Sequence, residues 1–467
     1  MVEIAKIMLN CINIFFIIYL IGYATFLFVS VVIGSVELYK QSKVSKLREK
    51  IKNDYEIPIS VIVPAYNEDV TVVDTVKSLL ALEYENYEIV VVDDGSTDGT
   101  AKKLIETFDM HLINRPVNYK INCKMKKEIY ESYDQKVQIT LVIKENGGKA
   151  DSLNMGINMA ENPYFICMDA DSLLQYDSLK KLSSAVLEDT KIIACGGLIR
   201  ISNGTTFRKG KIKYYGLPKK ILPAMQVLEY DRSFFASRIM LDKFNGNLII
   251  SGAFGLFRKD VVIAAGGYET QTVGEDMELV MKLHVFCKIN SIPYTIKYLS
   301  DAICWSQAPE GLKDLIKQRK RWHIGLLQSM LKYKEMFCNF RYGLISFISF
   351  IYFLIYELFS PVIEMIGIIT MIVSYYLNLI NLSFMIVFLV LYTVFGATLS
   401  ITIFLARIYV EESKIKISDI IKAIFLCLFE IVILRQIMSF TRMIAMLTYR
   451  KDKVKWGKIK RMQQTIY

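Results

Sequence analysis

The stretch Tyr87-Glu88-Ile89-Val90-Val91-Val92-Asp93-Asp94-Gly95-Ser96 decides the fold. A β-branched apolar run breaks abruptly into carboxylates and turn formers, as a buried strand of a parallel sheet does where it meets a ligand loop. The pattern repeats on either side. Ile59-Ser60-Val61-Ile62-Val63 reads as another buried strand, ended by Pro64, and residues 70–82 carry helical periodicity. Residues 138–143 and 164–168 are further strands, each followed by a polar loop. Repeated strand–loop–helix units predict an α/β fold with a parallel sheet over roughly 55–308, its ligands at the carboxyl ends of the strands. Residues 114–136, rich in Lys, Tyr and Glu, read as an inserted surface excursion.

The chain outside this block has a different composition. Of the 467 residues, 53% are apolar and 22% charged, and the apolar excess is concentrated at the two ends. Residues 7–36 carry no charge and exceed the ~20 needed to span a bilayer. Lys40, Lys43, Lys46, Arg48, Lys50 and Lys52 follow at once and place the next segment in the cytoplasm. The second apolar block begins near Tyr342, and residues 365–406 are again uncharged, interrupted by Asn378-Leu379-Ile380-Asn381. Pro361 predicts a break or kink. Residues 420–447 carry Lys422, Glu430, Arg435 and Arg442, so they form either a channel-facing span or an interfacial helix. The basic tail favours the cytoplasmic side. These shifts divide the chain into an N-terminal span (1–40), a cytoplasmic domain (41–308), an interfacial helix region (309–341), a C-terminal membrane region (342–448) and a basic tail (449–467).

Composition also excludes several classes. A disordered chain, a collagen-like repeat and a small disulfide scaffold do not fit. The net charge of +11 flanks the apolar spans, which argues for a lipid surface and against nucleic acid. The 8 cysteines are scattered without a CxxC and only 3 histidines occur, so a Cys/His zinc site is not expected.

The polar clusters carry the chemistry. Asp169-Ala170-Asp171 follows a strand, where two carboxylates can converge on a divalent cation bridging phosphate oxygens, although such pairs also cap helices and fill turns. Asn146-Gly147-Gly148-Lys149-Ala150 can bring backbone and a lysine near phosphates, without the spacing of a P-loop. Gly274-Glu275-Asp276 opens a helix, where acidic residues also complement the dipole. Gln318, Arg321 and Trp322 are spaced i, i+3, i+4 and share one helix face. The helix over 312–331 has an apolar stripe and reads as lying on the inner leaflet.

Taken in order, these clusters are more specific than any one of them. The series is Pro64-Ala65-Tyr66-Asn67-Glu68, Asp93-Asp94-Gly95-Ser96, the Gly-Gly-Lys loop, Asp169-x-Asp171, Ser251-Gly252-Ala253-Phe254, Gly274-Glu275-Asp276 and Gln318-x-x-Arg321-Trp322. It resembles the processive, membrane-embedded family 2 glycosyltransferases, the poly-N-acetylglucosamine, hyaluronan, cellulose and chitin synthases. The poly-N-acetylglucosamine type looks nearest, through Ile303-Cys304-Trp305 and Pro309-Glu310. The long 114–136 excursion and a single clear N-terminal span depart from the pattern, and no cyclic-dinucleotide module is evident.

The resemblance implies a GT-A-type domain inserted between transmembrane helices of the plasma membrane, its catalytic domain cytoplasmic. It implies a UDP-sugar donor bound near Ala65, Glu68, Asp94, Lys149 and Asp169. Asp171, with Asp169, would hold Mg²⁺ or Mn²⁺. Asp276 would be the base of an inverting transfer, and Gln318, Arg321 and Trp322 would form the acceptor and product site. The partners implied are a polysaccharide acceptor of the biofilm or capsule kind, the lipid bilayer, and accessory export or regulatory subunits. Two other functions remain open: a single-addition enzyme acting on a lipid or lipid-phosphate acceptor, and a membrane scaffold or transport subunit with an inactive transferase domain.

Overall fold

The computed structural model describes residues 2–50, 55–132, 136–208, 211–377, 379, 381–411 and 415–449. A long helix, α1 (Val2–Lys50), leads into β1 (Ile59–Ala65), α2 (Val72–Leu80), β2 (Tyr87–Asp93) and α3 (Thr100–Thr107). Next come β3 (His111–Ile113), β4 (Lys126–Ser132), β5 (Ile139–Lys144), α4 (Lys149–Met159), β6 (Tyr164–Met168), β7 (Leu173–Leu174), α5 (Ser178–Glu188) and β8 (Ile192–Ile201). The short pair β9 (Thr206–Arg208) and β10 (Lys211–Tyr214) precedes α6 (Ile221–Arg232), α7 (Arg238–Asp242), β11 (Phe254–Arg258), α8 (Lys259–Ala264), α9 (Glu275–Ile289) and β12 (Thr295–Ser306). The chain then becomes helical: α10 (Leu312–Lys332), α11 (Ile345–Leu358), α12 (Ser360–Tyr376), α13 (Leu382–Val410), α14 (Ile417–Phe429) and α15 (Arg435–Thr448).

One ten-stranded sheet runs in the order β3-β4-β5-β2-β1-β6-β11-β8-β12-β7. The strands β5-β2-β1-β6 are parallel, as their predominantly apolar runs predict, and so are β8 and β12. The sheet as a whole is mixed. β11 returns antiparallel between β6 and β8, with Phe254 opposite Met168 and Gly255 opposite Gly196. The 114–136 segment is not merely a surface excursion: β4 pairs antiparallel with β5, Ser132 opposite Ile139, and extends the sheet at its edge. Only Ile129, Glu131 and Ser132 of this strand are buried, so its sequence lacks the apolar run that marks the central strands.

Apolar side chains pack on both faces of the sheet. One of these cores continues without a break into the helical region, since Leu27 and Val31 of α1 and Leu399 and Ile403 of α13 belong to it. Among the described residues two helices are long and apolar enough to cross a membrane, Cys11–Leu47 and Met385–Val410. The pair α11 and α12 passes the same test together and bends by 48° at Phe359, just before Pro361, where the sequence predicts a kink. This bend also separates the two acids of the pair. Glu357, before the bend, accepts from the Tyr352 hydroxyl (2.8 Å), and Glu364, after it, takes Arg435 (3.0 Å). The α14–α15 segment packs instead against α6, α10, α12 and α13. The turn at Asn378 and the tail from Arg450 lie outside the described residues.

His284 anchors α9 inside the domain. Its ring is fully buried, with Nδ1 2.8 Å from the Tyr294 hydroxyl and Nε2 2.9 Å from the Asn247 carbonyl oxygen. Burial pushes its pKa down to about 4. An unfolded histidine takes its proton near pH 6.5, so between these values the unfolded state binds more protons and stability falls as pH falls. We expect His284 to contribute a loss on the order of 3 kcal/mol across that window. Thermal unfolding of the full chain at the two ends of the window, compared with His284→Gln, measures it. Parallel pH profiles for the two proteins would remove His284 as the cause.

Candidate active site

The carboxyl ends of β1, β2, β5 and β6 meet at one edge, and the predicted loops gather there. Asp94, one residue beyond β2, is buried and donates its backbone N–H to the Ala65 carbonyl (2.9 Å), which locks the β1 and β2 loops together. Its carboxylate accepts from Lys144 Nζ (2.5 Å) and from the backbone N–H groups of Gly147 (2.9 Å) and Gly148 (2.7 Å). A carboxylate offers about four acceptor positions, so these three donors leave one. Asp94 therefore shapes the Gly-Gly-Lys loop directly. Gly148 closes that loop at φ +90°, a conformation that L side chains rarely adopt. Lys144 also pairs with Asp151 (2.7 Å) and is fully buried. Sequence reading missed both residues, because a lysine at the end of an apolar strand looks like an edge residue; its position just before Asn146-Gly147-Gly148 is the signal that was available.

Glu68 is buried under the β1 loop, where it accepts from the Thr71 hydroxyl (2.8 Å), and its backbone N–H donates to Thr100 (3.0 Å). In the described geometry it closes the first turn of α2 and ties it to α3.

Lys149 occupies the centre. Its Nζ lies 2.5 Å from Asp169 Oδ1, 3.3 Å from the Gly252 carbonyl and 3.5 Å from Glu275 Oε1. Burial alone would lower its pKa, but Asp169 and Glu275 outweigh it and hold the ammonium above its ordinary value. Burial raises Glu275, against the pull of Lys149 and Arg321. Asp171 is buried beside Asp169. Among the described residues no group of three or more His, Cys, Asp or Glu side chains is arranged to hold a metal by itself. A hard divalent cation bound with a diphosphate needs only one or two protein carboxylates, and this pair meets that requirement.

Asp276, half-buried at the start of α9, accepts from the Gly252 N–H (3.2 Å) through Oδ2 and from Met277 N–H (2.9 Å) through Oδ1. Through Gly252, which touches both side chains, Asp276 stands beside Lys149.

The predicted acceptor face lies on α10. Trp322 is 41% exposed, and the Arg319 guanidinium sits 4.6 Å from its ring centre, leaving the indole backed on one side and open on the other. Arg319 is itself held by Glu229 (2.7 Å). Gln318 Oε1 is buried without a hydrogen-bond partner. The helix does not simply lie on a leaflet: Leu315, Arg319, His323 and Ile324 are buried against protein, because α6, α9 and α15 cover it.

What carries this face to Asp276 is a close backbone approach. A Cβ on Gly274 would lie 2.7 Å from Gly325 Cα, and one on Gly325 would lie 2.6 Å from Gly274 Cα. Gln328 Oε1 completes the joint by accepting from Val273 N–H (3.0 Å) and the Thr272 hydroxyl (2.9 Å). The Asp169–Lys149–Glu275 cluster, Asp276 and the helix carrying Gln-x-x-Arg-Trp are thus brought together at one candidate site.

The family described as glycosyltransferase-like family 2 matches residues 57–325, the span from β1 through this joint. The chain belongs to that family. The poly-beta-1,6-N-acetyl-D-glucosamine synthases of Staphylococcus aureus and Staphylococcus epidermidis are each 30% identical to it over 323 residues, 67% of this chain. The match spans 66% of the length of these relatives. A mannosyltransferase from Pyrobaculum calidifontis, solved with GDP-Man and Mn²⁺, superposes at a TM-score of 0.54 with 18% identity, covering 93% of this chain and 100% of that one. The fold is GT-A-like, with a mixed sheet between apolar helical ends.

The glycine joint gives a prediction of unusual sign. Alanine is the better helix former, so Gly325→Ala within α10 would ordinarily stabilise. Here the methyl group meets backbone, and we expect a net loss of about 1–3 kcal/mol, as for overpacking. Thermal unfolding measures it; an unchanged or raised midpoint would show that the two helices part without cost.

Proposed function

We propose that this protein transfers N-acetylglucosamine from its UDP-activated form to the end of a growing polysaccharide, processively and with inversion, and passes the polymer into the membrane. The observation that carries the reading is the joint between Gly274 and Gly325, which sets the Gln318, Arg321 and Trp322 face beside Asp276. The names of the staphylococcal relatives support the sugar and the polymer. The same helix α10 leads on to the bent pair α11–α12, which supports a polymer path next to the site.

In this reading the donor lies across the strand ends, with its base near Ala65 and the remaining acceptor position of Asp94. Asp171 and Asp169 would hold Mg²⁺ or Mn²⁺, which when bound offsets the charge growing on the departing diphosphate. The Mn²⁺ complex of the mannosyltransferase is in keeping with this. Lys149 balances Asp169 and Glu275 and keeps the two acids from repelling each other. Asp276, oriented by Gly252 N–H, takes the proton of the acceptor hydroxyl. The acceptor oxygen bonds to the anomeric carbon as the bond to the phosphate oxygen breaks, so UDP leaves from the opposite face. Trp322 offers its open ring face to the last sugar.

A topology in which α1, the α11–α12 pair and α13 cross the membrane suits the catalytic domain on the cytoplasmic side. It is supported by α14–α15 lying against α6 and α10, elements next to the catalytic domain. Such a segment would stay at the inner surface and return the basic tail to that side.

Two experiments test the chemistry. Asp171→Asn should nearly abolish turnover, and wild-type activity should require Mg²⁺ or Mn²⁺; a fully active variant in excess chelator contradicts the metal assignment. Asp276→Asn should lose about 10²–10⁴ in rate while calorimetry shows unchanged UDP binding. Loss of UDP binding would move Asp276 to the donor site. The polymer reading is tested with radiolabelled donor in sealed inside-out vesicles. High-mass polysaccharide protected from an added glycanase, lost in Trp322→Ala, is the expected result, and label confined to a lipid extract would defeat it.

A further inference from the structure

An apolar groove of about 630 Å³, lined by none of the candidate-site residues, lies between α6, the first turn of α10 and the α14–α15 segment. Its walls include Ile221, Met225, Leu312, Phe425 and Phe429, and Lys422 is its one charged wall residue. Ile221 is 62% exposed, Phe425 59% and Phe429 53%, a degree of exposure that water would penalise and hydrocarbon would not. The volume is roughly four times the ~150 Å³ that receives a benzene ring, enough for a long alkyl chain.

The rim is basic. Lys422 Nζ donates to the carbonyls of Pro218 (2.8 Å) and Lys219 (3.0 Å), which folds the loop before α6 over the mouth of the groove. That brings the exposed Lys219 next to the opening, while exposed Lys313 follows Leu312 on the other wall. The nearby carboxylates Glu310 and Asp314 already have partners in Lys220 and Lys317. Asp419, in the first turn of α14, leaves the surplus positive. An apolar slot beside a membrane-spanning helix, with a cationic rim, has the chemistry of one amphiphile: an alkyl chain joined to an anionic headgroup.

We propose that this groove binds a single anionic glycerophospholipid of the leaflet facing the catalytic domain, its acyl chain between α6 and α14 and its phosphate at Lys219 and Lys313. The proposal rests on the membrane placement of α14–α15 and not on the transfer reaction. Because α10 and α6 form two of the walls, the bound lipid would brace the helix that carries Trp322.

The test is a lipid count, which makes it independent of activity. The full chain is reconstituted in nanodiscs of equal phosphatidylcholine and phosphatidylglycerol, extracted gently, and examined by native mass spectrometry. The wild type should retain one phosphatidylglycerol in preference to phosphatidylcholine. Each lysine near a membrane surface carries about a fivefold effect, so Lys219→Gln with Lys313→Gln should lower that retention roughly 25-fold. Phe425→Glu, at an exposed position where folding is not at stake, should release the lipid through its acyl chain. Equal retention of the two lipids by the wild type would mark the groove as ordinary lipid boundary. Undiminished phosphatidylglycerol in the double variant, or in Phe425→Glu, would likewise overturn the proposal.

Discussion

The seating of α10 on the α/β domain depends on the approach of two backbones, Gly274 before α9 and Gly325 in the middle of α10. Any side chain at either position would separate the helices by the width of a methyl group or more. Their contact brings the start of α9, with Asp276, against the helix that carries Gln318, Arg321 and Trp322. Gln328 secures the loop from the α10 side, and Lys332 and the Tyr333 hydroxyl hold Glu278 of α9 at 2.7 Å each. A helix that could have floated at the interface is thereby made part of the wall of the α/β domain.

The second constraint is electrostatic and lies between the catalytic domain and the long helices. Arg232 of α6 forms a two-pronged pair with Glu430 (3.0 and 3.1 Å) and also reaches Ser400 of α13. Arg407, buried on α13, faces Asp231 (3.4 Å) and the Tyr215 hydroxyl, and Arg200 of β8 pairs with Glu411. Buried pairs of this kind add little net stability, because desolvation consumes much of the attraction, but one left without its partner is very costly. They therefore select one docking register rather than strengthen docking in general. This also explains the charges in otherwise apolar segments. Glu430 and Arg435 meet protein partners, the latter Glu364 at 3.0 Å, so neither needs a channel or a lipid headgroup to account for it.

The sequence was legible wherever local pattern and tertiary role coincide. The runs at β1, β2, β5 and β6 are buried on both faces, so their apolar character showed directly, and the loops at their ends could be assigned to one edge. The bend before Pro361 was legible for the same reason, since proline acts through its own ring. What escaped depends on partners distant in the chain. β11 and β4 take antiparallel places that only the neighbouring strands define. Lys144 is intelligible once Asp94 and Asp151 surround it, and Gly325 reads as a mere weakness in a helix until Gly274 is packed against it. The contact of Lys149 with Asp169 joins a helix start to a strand end, a relation that spacing alone does not reveal.

That position of Lys149 has a further physical consequence. Asp169 ends the sheet side of the site and Glu275 begins α9, and without a cation between them two partly buried carboxylates would repel at short range. The ammonium, at 2.5 and 3.5 Å, holds them together, while the Gly252 carbonyl takes a further contact at 3.3 Å. The same glycine turns its N–H to Asp276. One residue thus presents its acceptor to the lysine and its donor to the aspartate, and both groups are positioned from a single turn. A lysine suits this place better than an arginine because a compact charge with rotatable donors can serve three oxygens that do not lie in one plane. The sheet edge and the α9–α10 joint are thereby coupled through one charge whose side chain is enclosed, so the two halves of the candidate site cannot move apart without exposing it.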